Sequence, residues 1–147
     1  MRNIASFTNL EDYIARVYAG KRCAVKPFLI NFSYGAVAAN SSETVQQKIP
    51  SNADFIQCWM SINSSFAASE LLLQITDSGT SQTFFDSAVN ASTVCDQSDT
   101  GNRDQAVYRR VAGNSTLSAA INNLTATAYG DLSLTLVGVL VYVYSGQ

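Results

Sequence analysis

The chain has 147 residues, the length of one domain, and at that size about 70% of the unfolded surface can be buried around a single core. Of its residues 47% are hydrophobic and only 14% charged, and none is histidine, which excludes imidazole bases and imidazole-ligated metals. The net charge of −2 gives no global attraction for nucleic acid or an anionic membrane, and two prolines and eight glycines exclude a collagen-like or disordered chain.

Polarity comes instead from 18 Ser, 11 Thr and 11 Asn. The charge is unevenly divided. Residues 1–27 carry Arg2, Arg16, Lys21, Arg22 and Lys26 against Glu11 and Asp12, a net of +3, while residues 28–147 carry a net of −5. The expected layout is therefore a basic N-terminal arm (1–27) and an acidic body (28–147).

Within the arm, Thr8 with Glu11 three residues on is a capping-box pattern, and Leu10, Tyr13, Ile14, Val17 and Tyr18 follow at helical spacing. A short amphipathic helix of about ten residues ending near Gly20 is expected, with an apolar stripe that must lie on its own body or on a neighbour. From residue 25 the period changes to two. Phe28, Ile30, Phe32 and Tyr34 alternate; Val45, Gln47 and Ile49 do so more weakly; residues 55–62 are apolar on both faces; Leu71, Leu73 and Ile75 alternate again.

Further strands are expected at 82–85, 106–112, 116–124 and 132–144, with turn chemistry at 35–42, 50–52, 63–69, 77–79, 96–103, 113–114 and 130–131. Eight short strands with no intervening helical period point to an all-β, eight-stranded antiparallel jelly-roll sandwich preceded by the short helix and arm. A seven-stranded immunoglobulin-like sandwich is the alternative. The last strand, the longest and most apolar, should be covered on both faces. Its 13 residues are too few for the ~20 of a membrane-spanning helix, so no membrane partner is expected.

Cys23, Cys58 and Cys95 are odd in number and contain no Cys-x-x-Cys pair, which reads as three buried free thiols rather than a metal site or disulfide framework. The first 20 residues hold no long apolar run, so no secretion signal is expected and the chain is made in a cytosol. The six Asn-x-Ser/Thr triplets, at Asn31, Asn40, Asn63, Asn90, Asn114 and Asn123, then read as polar strand edges and turns rather than glycosylation sites.

No Gly-x-Ser-x-Gly elbow, Ser-x-x-Lys pair or phosphate-binding glycine loop occurs, and the aspartates at 77, 96, 99, 104 and 131 read as turn charges rather than a glycosidase pair. Residues 95–104, with Asp96, Asp99, Gly101, Asn102 and Asp104, could wrap calcium, but their spacing is not that of an EF-hand and Arg103 competes. No catalytic residue, cofactor or metal is assigned. Trp59, inside a double-faced apolar run, is expected in the core, and Tyr108-Arg109-Arg110 as a strand with alternate faces exposed.

The segment Ile49-Pro50-Ser51-Asn52-Ala53-Asp54-Phe55, leading into an apolar strand, and the apolar run 132–144 resemble small structural proteins of tailed-bacteriophage heads. That resemblance implies a jelly-roll capsid cement, or decoration, protein on the virion surface. Its partner would be the major capsid protein, and it would self-associate as a dimer or trimer, with no nucleic acid bound. Charge contrast alone nominates Arg16, Lys21, Arg22 and Lys26 as the shell contacts. A carbohydrate- or receptor-binding module of a head fibre or tail, and a carboxylate-dependent polysaccharide-degrading enzyme, are the competing readings.

Overall fold

In the computed structural model, residues 2–63, 70–96 and 108–144 are described. The chain is mostly strand. In order it forms α1 (Arg2–Val17), β1 (Arg22–Val37), β2 (Ser42–Lys48), β3 (Asp54–Asn63), β4 (Leu71–Asp77), β5 (Gln82–Thr83) and β6 (Val89–Asn90). There follow α2 (Ala91–Val94), β7 (Cys95–Asp96), β8 (Arg109–Val111), β9 (Thr116–Asn123) and β10 (Tyr129–Tyr144).

Two five-stranded sheets result. The first runs β1-β10-β3-β7, with β8 also on β3; the second runs β2-β9-β4-β5, with β6 also on β4. All pairings are antiparallel except the short β3–β7 pair. The chain alternates between sheets from β1 to β4, so every long strand crosses the core rather than forming a hairpin with its successor.

Period-two patterning decides which face of each strand is buried. Leu71, Leu73 and Ile75 on β4 and Leu117, Ala119 and Ile121 on β9 meet Ile30 and Phe32 of β1, Phe55, Met60 and Ile62 of β3, and Leu132, Leu134 and Leu136 of β10. Tyr129 is fully buried among them, and the Tyr34 hydroxyl donates across the core to the Ala119 carbonyl at 2.8 Å. Burial, with Cys95 nearby, pushes the Tyr34 hydroxyl well above its ordinary pKa, so it stays a donor.

Asn123 is a buried polar exception with all its needs met. Its Nδ2 donates to the Ala38 and Thr127 carbonyls, and its Oδ1 accepts from the N–H and Oγ1 of Thr125. It thereby fixes the β1–β2 and β9–β10 connections together at one pole of the sandwich.

Several expectations from sequence differ from this structure. Ten strand segments stand among the described residues rather than eight, because the stretches beyond β4 and before β9 are broken into two- and three-residue pieces. The helix starts at Arg2, so the expected cap at Thr8 lies inside it. The chain turns at Gly20, whose φ of +77° is a conformation an L side chain resists.

Arg22 to Pro27, grouped with the arm by charge, are already strand, paired with β10 from Tyr144 to Val139. Cys58 and Cys95 are buried thiols, but Cys23 is only half-buried. Trp59 is not core. It lies half-exposed opposite Val137, on the face turned away from the inward Met60 and Ile62.

Candidate functional site

A single apolar stripe explains where α1 goes. Leu10, Tyr13, Ile14 and Tyr18 pack on Ile56, Val139, Val141, Cys23 and Tyr108, all on the outer face of the first sheet. The Tyr13 and Tyr108 rings meet at 5.5 Å between centroids. A 16-residue helix is marginal by itself, so this seat on its own body is what keeps it helical. Ile56 next to Phe55 now has an explanation: one faces the core and the other the helix.

At the C-terminal end of α1 sits a polar latch. The Tyr18 hydroxyl donates to Asp54 Oδ2 at 2.7 Å, and Arg110 approaches the same oxygen with Nε and a terminal nitrogen, each at 3.0 Å. The Gly113 N–H donates to Asp54 Oδ1 at 2.9 Å. Burial works against the Asp54 charge, but the bonds from Tyr18 and Gly113 and the Arg110 guanidinium outweigh it, holding the carboxyl below its usual range. Burial and the Asp54 carboxylate together push the Tyr18 hydroxyl up to about 12.

Neither arginine of the 109–110 pair is simply a solvated strand residue. Arg110 belongs to the latch, and the Arg109 guanidinium lies 4.9 Å above Phe84 and 5.4 Å from Phe85. No spacing rule brings Tyr18, Asp54 and Arg110 together, since 36 and 56 residues separate the successive members. The available signal was a helix stripe ending in a tyrosine.

Beyond the helix, the outer face of the first sheet carries exposed apolar side chains. Leu29 is 62% exposed, and Val25 and Val143 on the same face are also exposed; Tyr144, paired with Arg22, has the inward parity of Leu140 and Tyr142 and lies past the end of the core. Among the described residues, the outer face of the last strand meets the helix at Val139 and Val141, while Val143 is exposed, so the strand is not covered along its whole length. Pro27 fits here because β1 is an edge strand. The Asn31 carbonyl faces away from β10 and accepts from Gln47 Nε2, so by alternation Pro27 also directs its missing donor to the open side.

The four cations nominated from charge border this face without forming a compact cluster. Arg16 is in the last turn of α1, Lys21 follows the Gly20 turn, and Arg22 and Lys26 stand on β1; all four are exposed. The outer face of the second sheet is more polar, carrying Ser42, Thr44, Gln46, Ser118, Asn122, Gln74 and Thr76 around Leu72 and Ala120.

Two surface depressions adjoin these elements. One of about 360 Å³ is lined by Asp54, Gly113, Val141 and Val143 beside the latch, and one of about 210 Å³ by Asp77, Phe84 and Arg109. Asp77 Oδ1 accepts from the Gly79 N–H at 2.9 Å, the geometry of a turn aspartate. Among the described residues no group of three potential ligands stands close enough to hold a metal, and no helix is long and apolar enough to cross a membrane. The calcium reading of residues 95–104 falls mainly on 97–107, outside the described residues.

No known family model matches this chain, and no curated protein matches it in sequence. Among solved structures it is similar to one titled "Cyanophage Pam1 capsid asymmetric unit", at 20% identity and a TM-score of 0.40, over 85% of this chain and 86% of that one.

Proposed function

We propose that this chain is a structural virion protein of a bacteriophage, a capsid cement or decoration protein that binds the major capsid protein lattice and bridges neighbouring subunits. The observation that carries the reading is the apolar outer face of the first sheet, with Val25, Leu29 and Val143 exposed and cations at its end. A face of that chemistry, opposed by a more polar outer face on the second sheet, is suited to being covered by another protein.

The strand order supports the jelly-roll assignment. When β5 with β6 count as one broken edge strand and β8 is taken as the antiparallel neighbour of β3, eight positions stand in the order of two Greek keys, 1-10-3-8 facing 2-9-4-5/6, with the short parallel β7 outside that order. Arg16, Lys21, Arg22 and Lys26 supply the cations that meet an acidic shell surface, and copies self-associate on the shell. No catalytic step is assigned. The effect on the head is by mass action: a protein that binds only the assembled lattice adds its binding free energy to shell stability, and bridging multiplies it.

The test uses purified shells of the cognate major capsid protein that lack this chain. Wild-type protein should co-sediment with expanded shells and raise their rupture temperature, while Leu29→Glu and Arg16→Glu/Lys21→Glu variants should lose both effects. Deleting residues 1–27 is a poor substitute, because it also uncovers Ile56 and Val141 and removes paired β1 residues. Binding by the Leu29→Glu variant at wild-type strength would place the contact elsewhere.

A further inference from the structure

The two poles of the sandwich carry opposite charge and matching apolar surface, and we propose that copies associate head to tail, the cationic pole of one on the acidic pole of the next. The register assigns the poles. Arg22 pairs with Tyr144, Asp54 with Val141 and Lys48 with Thr116 at one end; Val37 pairs with Tyr129, Asn63 with Ser133 and Leu71 with Asn123 at the other.

At the first pole stand Arg16, Lys21, Arg22, Lys26 and Lys48, all exposed, with the exposed Tyr144 opposite Arg22 and of the same parity. Its own carboxylates are largely withdrawn: Asp54 is taken by Arg110 and Asp77 is buried, leaving Glu11 and Asp12 on α1. At the second pole stand Glu43, Glu70 and Asp131, all exposed. Leu124, 51% exposed, sits directly beside Glu70, whose carbonyl accepts its N–H at 3.1 Å.

A partner for the cationic pole must offer carboxylates around an apolar contact, and the acidic pole of a second copy does. The proposal gives a geometry to the self-association suggested above, and it needs no shell. Because the patches are different and lie at opposite ends, the contact is heterologous: it extends into a series of species rather than closing as a two-fold dimer. Arg22 and Lys26 share the inward parity of Phe28, Lys26 beside the last core layer and Arg22 beyond it, so neither is on the outer face of the first sheet.

Sedimentation velocity of the full chain, over a concentration series at low and high salt, tests this. The weight-average sedimentation coefficient should rise continuously with concentration at low salt. The apparent association constant should fall about tenfold or more once salt shortens the Debye length to about 3 Å. Arg22→Glu/Lys26→Glu/Lys48→Glu and Glu43→Lys/Glu70→Lys/Asp131→Lys variants, with melting temperatures checked against wild type, should each be monomeric alone and associate when mixed.

A wild-type chain that stays monomeric throughout the low-salt series overturns the proposal. So does either variant self-associating alone, or failure of the mixture to associate. An association strengthened by salt identifies a contact that is apolar rather than electrostatic and overturns it equally. Shell binding is read in a separate assay, so failure here is distinguishable from failure of the virion reading.

Discussion

Tyr18 and Asp54, 36 residues apart, are joined by a 2.7 Å hydrogen bond that fastens the end of the N-terminal helix to the first residue of a central strand. The bond runs from a neutral donor to a charged acceptor, a type contributing about 1.5–3 kcal/mol. Arg110 completes the cluster, but its side chain is 47% exposed, so the ion pair itself adds less than the hydrogen bonds do. Tyr18→Phe keeps the ring on Ile56 and Val141 and removes only the hydroxyl. Its melting temperature should fall by several degrees, at about 2–4 °C per kcal/mol for a chain of this size. An unchanged melting temperature would mean that the apolar stripe alone seats the helix.

The same pair sets two limbs of the stability profile with pH. Asp54 is held below its ordinary value in the folded state, so its contribution is complete above the unfolded pKa of about 4 and is lost as pH falls through the folded value. Tyr18 is raised from 10.0 to about 12, so its contribution is complete below pH 10 and is lost as pH rises towards 12. Urea midpoints measured from pH 2 to 12 should show both limbs. Asp54→Asn should flatten the acid limb, and the difference between wild type and Tyr18→Phe should shrink above pH 10. Tyr34 is raised too, so that difference, rather than the alkaline limb of either protein, isolates Tyr18.

What could be read from the sequence was set by local period. Phe28, Ile30 and Phe32, and Leu71, Leu73 and Ile75, alternate because one side of each strand meets the core, and their strands appear where the alternation places them. The stretch containing β5 to β8 has no such run, since two-residue pairings need only a few backbone bonds and leave no apolar rhythm. Residues 55–62 looked like a fully buried strand. They are apolar on both sides because Ile56 meets the helix and Trp59 lies half-exposed on the outer face, two different reasons that a single strand pattern cannot separate. The latch depends on a fold-level meeting of three elements, which no spacing records. The exposed face likewise required knowing that α1 covers only part of the sheet.

Thiol accessibility gives an independent check on the packing. Cys58 is buried and its thiol is pushed by burial up to about 11, so it is neither reachable nor ionised near neutral pH. Cys95 is buried in the main core, whereas Cys23 is half-buried on β1 beneath the helix. A disulfide reagent at neutral pH should label one thiol per chain in the folded protein and three after unfolding, with mass spectrometry placing the first on Cys23. Faster labelling of Cys23 in the Tyr18→Phe variant would show the helix lifting from its seat. Early labelling of Cys58 would contradict the packing of β3 described above.

Gly138 is the position where the first sheet is least tolerant of change. The β10–β3 register slips between Val137 and Gly138, and the slip draws the strands so close that a side chain there would collide with the Ile56 carbonyl and crowd the Phe55 ring, 3.1 Å away. The obstruction is backbone in the middle of the sheet, which cannot move aside as a flexible side-chain tip could. Gly138→Ala should therefore cost about 3 kcal/mol or more, at or above the upper end of ordinary overpacking. It should also act on both sides of the strand, because Ile56 carries the helix and Phe55 the core. Gly130→Ala is the matched control. It lies on the same strand with nothing within 4 Å of an added Cβ, so its effect should stay within about 0.5 kcal/mol. Thermal or urea unfolding of the two variants decides the point: equal stabilities would show that β10 and β3 are not pressed together at this bulge.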